Sequence, residues 1–286
     1  GGALAKYFVE ELPKAGHEIV ILTRAAKPFF EGKPGVVEQR TTDYSSVDDI
    51  AQQIHDCEVL LNTIVDYSQQ FSSLTLIEAC KKSLKCKRFI PSEYGGDVES
   101  YPDQPAYYVP LNGAMRDALR DQTELEWTIV CIGVFIEMYL PKANHHFSYI
   151  PDIVDAKTNS VAVWGTGHEL FTLTSARDVA KAVGQLLLAP KGTWRPYVFV
   201  EGNKTTQLHL VELLKRHLEQ PEIKVVKRSL TQLISVGFAS SELSMEVVDA
   251  QLAVCVLSGA TTFDDTKVAR DRAEYFPDLR FRTVDE

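Results

Sequence analysis

The segment "YYVPLNGAMRDAL" (107–119) places Tyr108 four residues before Asn112. On a helix that spacing puts two side chains on one face, one turn apart. A tyrosine phenol can give a proton to an atom that gains electron density. A cation one turn away would favour the phenolate by charge attraction. Asparagine supplies no such charge. It hydrogen-bonds a hydroxyl or a carbonyl but is no acid, so Tyr108 is left as a weak acid or a hydrogen-bond donor. Each residue has a competing structural reading. Tyr108 can pack a helix start, and Asn112 can be a helix N-cap, with Pro110 giving an irregular entry and Gly113 weakening the first turn. Arg116, one turn further on, reads as a surface group.

A second constellation lies near the beginning. "GGALAKYFVEE" (1–11) opens a helix after two glycines. Gly2 and Ala5 fit the last two positions of a G-x-x-G-x-x-[GA] turn, whose backbone N–H groups hold a pyrophosphate. The first glycine and the strand before it are then expected upstream of Gly1. The competing reading is a helix that simply starts after two glycines. At the end of the next strand the sequence reads "LTRAAK". Thr23 and Arg24 stand where a carboxylate would bind the ribose hydroxyls of NAD. A guanidinium there suits the 2′-phosphate of NADP, with Lys27 and Lys33 close behind. The alternative is an ordinary surface arginine.

A third stretch, "VFIEMYLPKANHHFSYI" (134–150), is rich in aromatic side chains. It holds Phe135, Met138, Tyr139, Phe147 and Tyr149, and a large apolar pocket of such residues would suit a bulky aromatic or polycyclic ligand. Core packing is the competing use of each. His145 and His146 are adjacent, so they point to different sides and are not at metal-ligand spacing on a helix. One of them is a candidate proton donor; a surface pair is the alternative.

These residues need elements to hold them. "EIVILT" (18–23), "EVLLNTIV" (58–65), "RFIP" (88–91) and "WTIVCIG" (127–133) are apolar without alternation, as strands covered on both faces should be. Helical spacing runs through 4–16, 46–56, 71–83 and 113–122, and Ser46 with Asp49 forms a capping-box pattern. Such strand–helix–strand repeats predict an α/β fold with a parallel sheet wrapped on both faces. Later, 161–167 and 197–202 read as strands, with 223–229 as one more. Segments 175–189 and 205–219 read as helices, and 235–263 as an apolar helical stretch that closes a cleft or forms a dimer surface. The expected division is a nucleotide-binding half, 1–140, and a smaller substrate half, 141–286. The segment 175–202 is expected to return to the first half.

Composition narrows the classes. The 286 residues carry a net charge of −9, with 45% hydrophobic and 24% charged residues. An acidic chain repels nucleic acid and anionic membranes unless it holds a basic patch. The densest basic run, "KKSLKCKR" (81–88), ends a predicted helix, where lysines favour the dipole. The five cysteines are odd in number and follow no zinc or redox spacing. Reduced thiols in a cytosolic protein are expected. No apolar run reaches the roughly 18 residues of a membrane span, and no signal peptide is visible.

"AGHEIVILTR", "RFIPSEYG", "LEWTIVCIGVF" and "LTSARDVAKAV", in this order and at these spacings, resemble the NmrA-like and isoflavone-reductase-like family. This is an atypical branch of the short-chain dehydrogenase/reductases. The similarity runs along nearly the whole chain. It implies a Rossmann-type doubly wound parallel sheet that binds NADP(H), with a smaller C-terminal substrate domain. By that resemblance Gly2, Leu4 and Ala5 match the pyrophosphate turn. Thr23 and Arg24 lie at the 2′-phosphate position, with Lys33 as a second partner. Thr63, Ile64 and Val65 match the loop passing the adenine and ribose. Pro91, Ser92 and Glu93 match the segment beside the nicotinamide ribose, and Gly133, Val134 and Phe135 the strand end that covers the nicotinamide. Tyr94, Tyr107, Met138, Tyr139, His145, His146 and Tyr149 are the expected substrate contacts. The family's catalytic lysine falls on Asn112, so the usual acid/base residue is absent here.

The resemblance therefore implies hydride transfer from NADPH to a bulky secondary metabolite, with Tyr108 or a pocket histidine giving the proton and Asn112 positioning ribose or substrate. Two other readings stay open. One is a non-redox cyclase or isomerase that keeps the cofactor pocket. The other is a catalytically silent NADP-sensing regulator. A small-molecule partner, a monomer or homodimer, and no nucleic-acid or membrane partner are expected.

Overall fold

The computed structural model describes residues 2–65, 73–140, 145–147, 153–155, 158–217, 222–239 and 242–286. Helix α1 (Ala3–Glu11) leads to β1 (Ile19–Thr23) and β2 (Val36–Thr41), which pair in parallel. Then come α2 (Val47–Gln53), β3 (Val59–Leu61), α3 (Ser73–Lys82), β4 (Arg88–Ile90), α4 (Tyr108–Arg120) and β5 (Glu126–Trp127). Here β3, β4 and β5 form a second parallel ladder. Next are β6 (Ile129–Cys131), β7 (Val134–Phe135), β8 (Val154–Asp155), β9 (Ser160–Trp164), β10 (Leu170–Thr174), α5 (Ala176–Leu188) and β11 (Tyr197–Phe199). β11 returns to pair in parallel with β6, and α5 packs on α1. The chain ends through β12 (Asn203–Thr206), α6 (Gln207–His217), β13 (Lys224–Arg228), α7 (Leu230–Gly237), α8 (Met245–Leu257) and α9 (Asp265–Tyr275).

The central strands are covered on both faces, which is why they read as continuous apolar runs. Ile90, Val130 and Ile132 pack with α1 and α5, beside Phe8, Val179 and Val183. Their neighbours Phe89 and Leu60 turn the other way, towards Ile77, Met115 and Leu119 of α3 and α4. Ile129 and Cys131 pack with Val98, Phe199 and Phe263. A separate core joins β9 and β10 to α6, α7 and α8. This is the doubly wound α/β arrangement.

Some expected elements change. The stretch 235–263 is not one helix. α7 stops at Gly237, and α8 begins afresh where the Ser244 side chain accepts the Val247 N–H. The strand expected over 58–65 ends at Leu61, because the Asn62 side chain accepts the Ile64 N–H and turns the chain. α4 begins at Tyr108 rather than at Gly113. Pro110 sits in its first turn, where backbone N–H groups have no intrahelical partner to lose. β2 was not anticipated: half of its six residues are exposed and four are polar.

Candidate functional site

Strands β1, β3, β4 and β6 are followed by the loops that hold the predicted binding residues. Ligands of open parallel sheets bind outside these carboxyl ends. Gly2 caps α1 in an extended conformation, and a Cβ there would stand 3.7 Å from the Thr63 carbonyl oxygen. The α1 start and the loop after β3 are therefore neighbours. Among the described residues no side chain caps α1, and its first turn carries no acidic residue. Its free N–H groups and dipole favour an anion. Leu4 and Ala5 instead pack inward, Leu4 on the α1–α5 core and Ala5 beside Val9 and Ile21.

The loop after β1 is tied down on both sides. Thr23 is buried, and its hydroxyl donates to the Ala25 carbonyl at 3.0 Å. Its proton is thus spent in the turn. The Gln39 side chain bonds both the N–H and the carbonyl of Lys27. Arg24 is exposed and has no ion-pair partner among the described residues. Lys33 stands 4.7 Å and Lys6 4.9 Å from the centre of the Phe29 ring. Three cations thus gather around one short loop. Beyond β3, Thr63 and Ile64 are half-buried and Val65 is exposed.

The loop after β4 differs most from expectation. Pro91 and Glu93 are buried and Ser92 is half-buried. Arg116 is not a surface group: it is 3% exposed, and its Nε donates to both Glu93 oxygens at 3.0 Å. The same guanidinium donates to the Pro102 carbonyl. Burial works against its charge, and the Glu93 carboxylate outweighs that cost and holds it protonated. The Gly95 carbonyl accepts from the Ile132 and Gly133 N–H groups at 2.8 and 2.9 Å. Gly133 has φ +74°, and a Cβ there would lie 2.3 Å from the Thr172 carbonyl oxygen. Only glycine lets β10 approach so closely. Val134 and Phe135 follow, both buried.

Asn112 does not cap α4. It lies inside the helix, half-buried, and the cap position is Tyr107. The Tyr108 hydroxyl stands against Gly95, 3.2 Å from where a Cβ would sit, and its ring meets Tyr107 edge-on at 4.8 Å. Tyr108 also packs against the Val98–Ile129–Phe199 cluster. The structure so brings the α4 tyrosine to the loop after β4. Tyr94, one residue before Gly95, is buried beside Phe8, and its hydroxyl has no hydrogen-bond partner among the described residues. Burial pushes its phenol up.

Aromatic groups connect the ends of the site. Phe135 meets Phe147 at 5.0 Å, and Phe147 meets Tyr7 at 6.2 Å. Tyr7 meets His146 at 4.7 Å, and His146 meets Phe29 at 5.5 Å. The path runs from β7 to the loop after β1. His146 Nε2 bonds Glu10 at 2.8 Å, and Arg177 bonds both Glu10 and Glu11. Burial tends to raise the Glu10 carboxyl, but the bonds from His146 and Arg177 outweigh it and hold it low. His145 turns elsewhere, to the Leu140 carbonyl. Met138 is half-buried between the two main cores, and Tyr139 packs on Phe171 in the second. Tyr149 lies outside the described residues. Sequence reasoning passed over Tyr7, Phe29, Glu10 and Arg177, since helix-face residues carry no motif. It also passed over Glu137, whose carboxylate accepts the Ala176 N–H at the start of α5.

The open parallel sheet with helices on both faces, and ligand loops at its strand ends, is a Rossmann-type nucleotide-binding architecture. The profile of the NmrA-like family matches residues 1–286, and the chain belongs to that family. It is 38% identical to "Oxidoreductase swnR" of Arthroderma benhamiae, over all of this chain and 93% of that protein. In structure it resembles AtPrR2 with NADP+ and (+)pinoresinol, at a TM-score of 0.76 and 18% identity over 99% of this chain and 94% of that one. It likewise resembles the ternary complex of leucoanthocyanidin reductase from Vitis vinifera, at a TM-score of 0.78 and 17% identity over 99% and 94%. Those two likenesses describe the fold.

Proposed function

We propose that this protein binds NADP(H) across the carboxyl ends of β1, β3, β4 and β6 and transfers hydride to a bulky aromatic or polycyclic secondary metabolite. The observation that carries the cofactor is the cation-rich loop at the end of β1. Arg24 stands there exposed and without an ion-pair partner among the described residues, with Lys33 and Lys6 around Phe29. No carboxylate occupies the ribose position, so a 2′-phosphate is the group this loop suits. The uncapped start of α1 would take the pyrophosphate. The name of the swnR relative and the NADP+ bound to AtPrR2 support the same reading. Residues 1–140, with the returning segment 175–202, form the nucleotide half, and 141–286 supply most of the substrate half.

When bound, the nicotinamide supplies the hydride. The chain's own residues position and protonate. Tyr108 is the proton donor, steadied by the loop that Arg116 and Glu93 lock. Asn112, on the same helix face, orients a ribose or substrate hydroxyl. Phe135, Met138, Tyr139 and Phe147 shape an apolar wall. The second reading, a non-redox cyclase or isomerase, rests on Asn112: a neutral side chain stands where a reductase of this family would place its lysine.

The two separate in one assay. NADPH is mixed with candidate metabolites, and nicotinamide absorbance and product are followed together. The proposal expects one NADPH oxidised per product formed. Product without oxidation would contradict it and select the non-redox reading.

A further inference from the structure

We propose that the outer edge of β13 docks an acidic, extended peptide segment of a partner protein, which adds to the sheet as one more strand. This goes beyond the functional reading above and does not depend on it.

β13 is an edge strand. It pairs in parallel with β9, and β9 pairs on its other side with β8. Among the described residues no strand covers the outer side of β13. Lys224, Val226, Lys227 and Arg228 are exposed, and only Val225 is half-buried, packed on the core of β9 and β10. The Lys224 N–H donates to the Asn159 carbonyl, and the Arg228 carbonyl accepts the Gly165 N–H, both at 2.9 Å. Along a strand, successive residues present their N–H and C=O groups to opposite sides. Lys224, Val226 and Arg228 therefore bond inward, to β9. Val225 and Lys227 each present an N–H and a C=O outward. An open ladder of this kind is a template for another chain.

Charge selects which chain. Side chains alternate across a strand. Val225 faces the core, so Lys224, Val226 and Arg228 share the opposite, exposed face. That face reads cation, apolar, cation. Lys224, Lys227 and Arg228 have no ion-pair partner among the described residues. On a chain of net charge −9 this edge is a local exception. A second copy fits it badly. Two β13 edges related by a two-fold axis run antiparallel, and centring them on Val226 sets Lys224 opposite Arg228. Like charges directly opposite destabilise a strand pair. A strand with carboxylates at those two positions and an apolar residue between them meets the edge with complementary charge, while the open ladder supplies backbone bonds. The same cations thus reject self-pairing and accept an acidic strand.

The surface continues into α7. Leu230, Ile234 and Phe238 recur every four residues, at 46%, 44% and 55% exposure, while Leu233 and Gly237 are buried. An exposed apolar row that begins two residues beyond Arg228 is a second mark of an interaction surface.

Amide hydrogen exchange tests this with two capped peptides, Glu-Thr-Val-Thr-Glu and Lys-Thr-Val-Thr-Lys, each in millimolar excess over the whole chain. The acidic peptide is expected to slow exchange at Val225 and Lys227 by about tenfold or more, and the basic peptide is not. The amides of Val226 and Arg228, already bonded to β9, are the internal reference. Lys224→Glu combined with Arg228→Glu should reverse the preference, since both positions are exposed and the ladder is unchanged. No protection by the acidic peptide, or equal protection by both peptides, would overturn the proposal. So would a double variant that still prefers the acidic peptide. Protection without peptide that grows with protein concentration would assign the edge to a second copy and overturn it as well.

Discussion

Arg116 on α4 holds Glu93, in the loop after β4, through two contacts of 3.0 Å with both side chains buried. Pairs of this kind cost much to half-break, because the survivor is a buried unpaired charge. Arg116→Met is expected to lower unfolding stability by about 3–5 kcal/mol. Arg116→Met with Glu93→Leu should recover most of that loss. Urea denaturation of the single and double variants measures both. A double variant no more stable than Arg116→Met would show that the charge pairing is not the cause.

Gly133 ties β6 to β10 through a left-handed backbone and a contact too close for a side chain. Gly133→Ala combines an unfavourable φ with a clash against the Thr172 carbonyl. We expect it to cost more than about 2 kcal/mol, above the strain of a positive φ alone. A melting temperature equal to that of the parent would contradict this.

Burial pushes the Glu137 carboxyl up to about 7, with the Asp178 charge adding to it, while its backbone hydrogen bonds and Arg177 oppose the shift. A raised carboxyl favours the neutral form in the folded chain. Its contribution to stability is complete below the ordinary carboxylate value and is lost as pH rises through about 7. Glu137→Gln keeps an acceptor for the Ala176 N–H but does not ionise. The variant should gain on the parent between pH 5 and 8 by on the order of a few kcal/mol. A difference in melting temperature that stays constant across that range would contradict the assignment.

Tyr108 and Asn112 divide the chemistry. Tyr108→Phe should slow hydride transfer by about 100-fold or more if the phenol supplies the proton, with NADPH affinity little changed. Asn112→Lys adds the missing cation one turn away and should raise the rate. Single-turnover NADPH oxidation reads both. An unchanged rate in Tyr108→Phe would move the proton donor elsewhere, to His146 first.

The doubly wound sheet was legible because its strands are buried on both faces and so read as unbroken apolar runs. β2 was not, since its exposed polar residues form a strand only beside β1. The loops at the strand ends were legible from Gly133 and "PSEYG". The partners of those loops were not. Glu93 looks like a ligand residue in sequence, and only the fold brings Arg116 onto it. His146 and Glu10 are 136 positions apart and meet through tertiary packing. A helix cap was the competing reading of Asn112, with Pro110 giving an irregular entry and Gly113 weakening the first turn. The helix forms regardless, with Met115 and Leu119 buried on one face.

The central claim is that the loop after β1 holds the 2′-phosphate of NADP. Equilibrium titration of NADPH and NADH against the parent and Arg24→Ala tests it most directly. We predict that Arg24→Ala weakens NADPH by about tenfold or more, the scale of one charge-assisted phosphate contact, and leaves NADH nearly unchanged. Equal weakening of both nucleotides, or no binding of either by the parent, would contradict it.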